Sequence, residues 1–128
     1  MDTNFLVLDD DPERHKYFKR QLAGFNIDHA YNYDAFVNFL KSGKTYEAMF
    51  LDHDLNLNQA RSVDDNGNEL DGRSAVKELL RLGKKPKHVI VHSHNFSGAK
   101  EMVALLKDAG IRVTRWYFDP HVKINFKP

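Results

Sequence analysis

Cysteine is absent from the chain. That excludes a disulfide framework and a thiolate zinc site, and it makes an intracellular setting the default expectation. No apolar run reaches membrane-spanning length, and the Met-Asp-Thr-Asn start carries no basic leader region, so a soluble, cytoplasmic protein without a membrane partner is expected. An excess of one charge is lacking as well. With 19 Lys+Arg against 18 Asp+Glu the net charge is +1, which names no partner, and the scattered basic residues read as a solvated surface rather than a nucleic-acid stripe. Internal repeats, low-complexity tracts and linkers are missing, and 128 residues suffice for one domain with a real core but not for two.

What is present is a set of apolar runs that end in chemistry-bearing residues. Ala48-Met49-Phe50-Leu51 ends in Asp52-His53-Asp54, and Val7-Leu8 ends in Asp9-Asp10-Asp11. Val89-Ile90-Val91 ends in His92-Ser93-His94-Asn95, and Trp116-Tyr117-Phe118 ends in Asp119. Strands are predicted over 5–8, 25–30, 48–51, 88–93 and 112–118, with helices over 12–23, 34–41, 71–82 and 97–109. Asp11-Pro12 marks one helix start, and Gly24, Gly83 and Gly110 mark helix ends.

This alternation predicts an α/β fold: a doubly wound, parallel, five-stranded sheet in the order 2-1-3-4-5 with helices on both faces. Parallel strands deliver their ends to one crevice, where open α/β sheets bind ligands. The polar stretch 56–70 contains Asp64-Asp65-Asn66-Gly67 and reads as a small hairpin or a flap that covers the crevice. The tail 119–128 is too short and too alternating for a full final helix, so that helix is expected to be shortened or missing.

The crevice would collect Asp9, Asp10, Asp11, Asp52, Asp54 and Asp71, while Lys84, Lys85, Lys87 and Arg112 fall at the opposite end. Carboxylates held this close repel one another unless a cation is bound, so a Mg²⁺ (or Mn²⁺) site is expected. Mg²⁺ takes phosphate oxygens readily, which suits a phosphorylated ligand. The plainer alternative is a helix cap surrounded by solvated charge. A calcium loop at Asp64, Asn66 and Asn68 is excluded, because Glu69 stands where glycine is required and Ala75 where a bidentate acid is required.

His53 and His94 lie at or beyond strand ends and are candidate general acids or bases, since imidazole titrates near neutrality. His92 reads instead as a packed histidine. Ser93 and Asn95 precede a helix start, where they can cap the helix and also hold a phosphate. Arg73 and Lys100 read as solvated surface residues.

These residues resemble the receiver domain of two-component response regulators over nearly the whole chain. The resemblance rests on Asp9-Asp10 after the first strand, Asp52 ending the third, Asp71-Gly72 opening the third helix and Ser93 ending the fourth strand. It implies a flavodoxin-like (CheY-like) fold in which Asp9, Asp10 and Asp52 hold Mg²⁺, joined by a backbone carbonyl near Asp54. It also implies that Asp52 accepts a phosphoryl group and that Ser93 contacts the phosphoryl oxygens.

The chain departs from ordinary receivers where they end the fifth strand in lysine, since Asp119 stands there, and in its long 56–70 stretch. With its LDHDL and HS-x-N motifs it is similar to the divergent receiver group that processes cyclic phosphates. That similarity implies a metal-dependent phosphoesterase acting on a cyclic phosphate of a nucleotide or RNA end. Asp52 would be nucleophile or metal ligand, and His53 or His94 would move the proton. The alternatives are a non-enzymatic phosphoacceptor with a protein partner, and a module that binds or sequesters a nucleotide.

Overall fold

The structure is a computed structural model that describes residues 4–55 and 62–119. In chain order the elements are β1 (Asn4–Leu8), α1 (Pro12–Gln21), β2 (Asn26–Ala30), α2 (Tyr33–Leu40), β3 (Ala48–Leu51), α3 (Gly72–Arg81), β4 (His88–Val91), α4 (Phe96–Asp108) and β5 (Val113–Arg115). Each helix begins on a polar side chain that satisfies a free amide. Asp11 accepts from the amide of Glu13, Asn32 from Ala35 and Asn95 from Gly98. Asp71 and Ser74 close a reciprocal capping box at the start of α3.

The strands form one sheet in the order β2-β1-β3-β4-β5, and every pairing is parallel. The register sets Leu8 opposite Leu51, Leu51 opposite Val91 and Val91 opposite Arg115. Alternation then divides the core between the two faces. Leu6, Leu8, Met49, Leu51, Val89 and Val91 pack with Phe36, Leu40, Val76, Leu79, Met102 and Leu106 from α2, α3 and α4. On the other face Phe5, Val7, Phe50 and Ile90 pack with Tyr17, Phe18 and Leu22 on or beside α1, with Trp116 and Phe118 against them. Among the described residues no helix is long and apolar enough to cross a membrane.

Two strands stop earlier than the apolar runs suggest. β4 ends at Val91 because Ser93 Oγ accepts the amide of Asn95 and turns the chain into α4. β5 ends at Arg115, where the Arg115 guanidinium donates to the carbonyls of Val91 and Trp116. Trp116 adds one last ladder hydrogen bond to Val91, and its ring and that of Phe118 pack on Tyr17 and Phe18 of α1. In the polar stretch, Val63 and Glu69 form an antiparallel bridge around a tight turn, and Ser62 Oγ accepts the Asp34 amide at the start of α2. Residues 56–61 of the expected flap and 120–128 of the tail lie outside the described residues.

Glycine sets how closely α3 and α4 approach the end of β3. A Cβ on Gly72 would fall 2.1 Å from the carbonyl oxygen of Asp52 and 2.7 Å from Cα of His53. One on Gly98 would fall 2.4 Å from the His53 ring. The first contact is backbone and cannot swing away, whereas the second is a side chain. Gly72→Ala is therefore expected to destabilise the fold by at least about 1–3 kcal/mol, and Gly98→Ala by less. Urea denaturation checks this order, and a Gly98→Ala midpoint below that of Gly72→Ala would contradict it.

Candidate functional site

The hydrogen-bond ladder continues one residue beyond the named strands. The amides of Asp9, Asp52, His92 and Trp116 donate to the carbonyls of Ala30, Leu8, Leu51 and Val91 at 3.1, 2.9, 3.0 and 2.9 Å. These residues therefore form one row at the carboxyl edge of the sheet, and the pleat turns them toward the α1 face. Asp9, Asp52 and His92 are all buried there. Asp9, Asp10 and Asp52 each bring a carboxylate oxygen within 4.8 Å of the others. A compact all-oxygen donor set of this kind fits a hard divalent cation such as Mg²⁺.

Two cationic or hydrogen-bonding groups address this acidic set. His92 Nε2 donates to Asp9 Oδ2 at 2.8 Å, across β3. From α1, Arg14 Nε stands 3.4 Å from Asp9 Oδ2 and 3.3 Å from Asp11 Oδ2, and its Nη1 lies 3.9 Å from Asp52 Oδ2. Behind them His15 Nε2 donates to the Asp9 carbonyl at 2.7 Å. A carbonyl can only accept, so this nitrogen carries the proton. Burial holds His15 below the usual imidazole range. Neutral His15 then accepts, through Nδ1, from His29 Nδ1 at 2.7 Å.

The two central carboxylates are pushed apart in acidity. Burial drives Asp9 upward, but the His92 hydrogen bond and the charges of His92 and Arg14 outweigh it and hold Asp9 below the usual carboxylate range. Asp52 is raised to about 6, first by burial and then by the charge of Asp9. Burial opposes the charge on Arg14, yet Asp9 and Asp52 keep its affinity for the proton above the usual value.

The other residues singled out in the sequence sort by face. Asp54 lies outside the acidic trio: its largely exposed carboxylate accepts from His53 Nδ1 at 2.7 Å and from Asn95 Nδ2 at 3.0 Å. Any contribution of Asp54 to a metal would therefore come through the backbone carbonyl near it, as the receiver resemblance implies, and not through its carboxylate. The His53 ring packs on Gly98 at the α4 start, with Nε2 3.4 Å from Asp71 Oδ2, on the face opposite the acidic row. Ser93 is buried and Asn95 caps α4. His94 is exposed and lines a cavity of about 490 Å³ beside Arg14. Asp119 is exposed, and Arg73 pairs with Glu101 at 2.7 Å.

His92 and Arg14 are the functional residues that the sequence reading passed over. His92 is the first polar residue after β4, as Asp9 and Asp52 are after β1 and β3, and parallel register places such residues in one row. Arg14 follows the N-cap Asp11 by three residues, a spacing that returns a helix side chain to its own start.

Asp52 is raised from the ordinary 3.8 to about 6 in the folded state, so the ionised form destabilises the fold above about pH 6, and this cost fades as pH falls toward 3.8. In chelator, Asp52→Asn is expected to raise Tm at pH 7 by roughly 5–10 °C, from a gain on the order of 2–3 kcal/mol. The gain over wild type should shrink by pH 5, and Mg²⁺ should narrow it at pH 7. Calorimetric melts of both proteins check this, and a pH-independent difference would contradict it.

Residues 5–108 match the model of the family described as the cyclic-phosphate processing receiver domain. No curated protein matches the chain. Among solved structures it is similar to a CheY-like receiver domain from Methanospirillum hungatei JF-1, at 21% identity and a TM-score of 0.65, covering 92% of this chain and 85% of that one. It is also similar to the chemotaxis protein CheY4 of Vibrio cholerae, at 16% identity and a TM-score of 0.63, covering 94% of this chain and 91% of that one. A Burkholderia pseudomallei response regulator with a phosphorylated aspartic acid and a calcium ion aligns at 21% identity and a TM-score of 0.59. That alignment covers 90% of this chain and 59% of the Burkholderia chain. These likenesses share the flavodoxin-like, CheY-like fold, and because the family match spans most of the 128 residues, the chain belongs to the cyclic-phosphate processing receiver domains.

Proposed function

We propose that this domain is a metal-dependent phosphoesterase that opens a cyclic phosphate of a nucleotide or an RNA end. The observation that carries the reading is a buried carboxylate trio sharing Arg14 with a cavity that also holds His94. Asp9, Asp10 and Asp52 would hold the Mg²⁺ or Mn²⁺, which supplies Lewis acidity toward a phosphoryl oxygen.

The Arg14 guanidinium presents planar donors suited to two phosphate oxygens. His92 keeps Asp9 oriented and ionised through its hydrogen bond. Asp52 orients the attacking water. The water oxygen adds to phosphorus and one ring P–O bond breaks; His94 gives its proton to the departing oxygen and is reprotonated by the proton that the water releases, leaving a phosphomonoester. The Ser93 hydroxyl would meet a phosphate oxygen, as the receiver resemblance implies, while Asn95 holds the start of α4 and Asp54. His53, tied to Asp54 and Asp71 on the other face, supports the loop rather than the proton transfer.

A second reading is favoured by the same arginine. With Nη1 3.9 Å from Asp52 Oδ2, Arg14 stands where it could neutralise an acyl phosphate on Asp52, as the lysine of ordinary receivers does. The domain would then be a phosphoacceptor that changes its affinity for a protein partner.

Phosphorus NMR of the protein with Mg²⁺ and a mixture of 2′,3′-cyclic nucleotides separates the two. Conversion to monophosphates is expected, abolished in Asp52→Asn and slowed roughly 10²-fold in His94→Ala. Unchanged resonances, together with a stable phosphoryl adduct by intact mass after acetyl phosphate, would replace the phosphoesterase with the phosphoacceptor.

A further inference from the structure

Because β5 stops at Arg115, Phe118 walls a cavity rather than extending the sheet. Arg14, Tyr17 and Arg20 recur every three residues along α1 and line the cavity of about 490 Å³ together with His94 and Phe118. That volume lies in the roughly 300–1,000 Å³ range of small-molecule sites. Tyr17 meets Phe118 edge to face at 4.9 Å, and the Arg14 guanidinium lies 5.8 Å from the Phe118 centroid. Arg14 therefore belongs to both the aromatic wall and the acidic row.

We infer that this cavity is the base subsite of a single nucleotide, seated with its phosphate on Arg14 and its base against Phe118, which the buried Tyr17 ring backs from beneath. The inference rests on the reading of the trio as the phosphate end, and it adds the rest of the ligand. An aromatic wall beside guanidinium groups matches a molecule that joins a flat ring to a phosphate. Arg20 is exposed at the far end of the stripe and supplies a second donor group. Asp11 and Glu13 line the same cavity, and their charge would repel the next phosphate of a strand. That selects a mononucleotide over an RNA terminus. Arg20 and Phe118 become its specificity-determining residues, with Tyr17 a positioning residue behind Phe118.

The one tryptophan of the chain, Trp116, lies 5.5 Å from Phe118 and 6.2 Å from Tyr17 by ring centroids, so its emission reports on the cavity. In chelator, which prevents metal-dependent turnover, the full chain is titrated with three probes: adenosine 2′,3′-cyclic phosphate, ribose 5-phosphate and an RNA trinucleotide ending in a cyclic phosphate. The cyclic mononucleotide is expected to change Trp116 emission saturably. Ribose 5-phosphate should bind at least about tenfold more weakly, and the trinucleotide no more tightly than the mononucleotide, since stacking supplies the difference.

Calorimetry should find the mononucleotide weakened roughly 5- to 100-fold by Phe118→Leu, which keeps apolar volume but removes the aromatic face. Arg20→Ala, an exposed change, should weaken it several-fold. Equal binding of ribose 5-phosphate and the cyclic nucleotide, or unchanged affinity in both variants, overturns the base subsite. A tighter trinucleotide overturns the choice of a single nucleotide. Discriminating binding without hydrolysis in the phosphorus experiment removes the phosphoesterase and leaves the subsite standing, whereas hydrolysis without discrimination does the reverse.

Discussion

Asp9 and Asp52 are two buried carboxylates on adjacent parallel strands, and their mutual repulsion is the constraint that organises this end of the molecule. A low-dielectric edge cannot hold both charges without compensation. His92 and Arg14 compensate Asp9 most directly, so Asp9 keeps its charge. Asp52, farther from the guanidinium, is the carboxylate that moves toward protonation. The asymmetry follows from where α1 and β4 place their side chains. It leaves one carboxylate committed to charge and one whose charge depends on what occupies the crevice.

The fold was largely legible because its signals were local. Apolar runs bounded by Asp-Pro, Gly and Asx caps gave the elements, and alternation of strand with helix gave the parallel order. Asp9, Asp10 and Asp52 were legible for the same reason, each following directly on an apolar strand. His92 satisfied the same criterion as Asp9 and Asp52, but a single histidine beside a sheet is ordinarily a packing residue, and only the register across β1, β3 and β4 shows that it reaches Asp9. Arg14 was less accessible still. Its importance depends on how α1 sits over the sheet, a tertiary relation that no spacing in the sequence encodes.

The end of β5 shows a different limit. Trp116-Tyr117-Phe118 has every local mark of a strand, with aromatic residues that favour extended backbone. An edge strand has a partner on one side only, and the face beneath Tyr17 and Phe18 has α1 as its one described helix. Packing Trp116 and Phe118 there removes part of their apolar surface from water. Tertiary burial therefore overrides strand propensity. The same choice brings Phe118 beneath Arg14 and joins the aromatic cluster to the acidic row.

Arg14 is thus the residue through which the parts of the site constrain one another. Its guanidinium has five N–H donors in one plane, and in this structure Asp9, Asp11 and Asp52 all draw on it. A phosphate on the Nη side would compete with Asp52 while leaving the Nε contacts to Asp9 and Asp11 intact. Asp52 would then lose part of the positive field that opposes its repulsion from Asp9, and its ionised form would need a cation or would take up a proton. A cation and a phosphate at this edge would for that reason be energetically linked, since each would supply or withdraw charge from the same buried carboxylate. Arg14 is carried by α1, so such coupling would pass through the seat of α1 on the sheet.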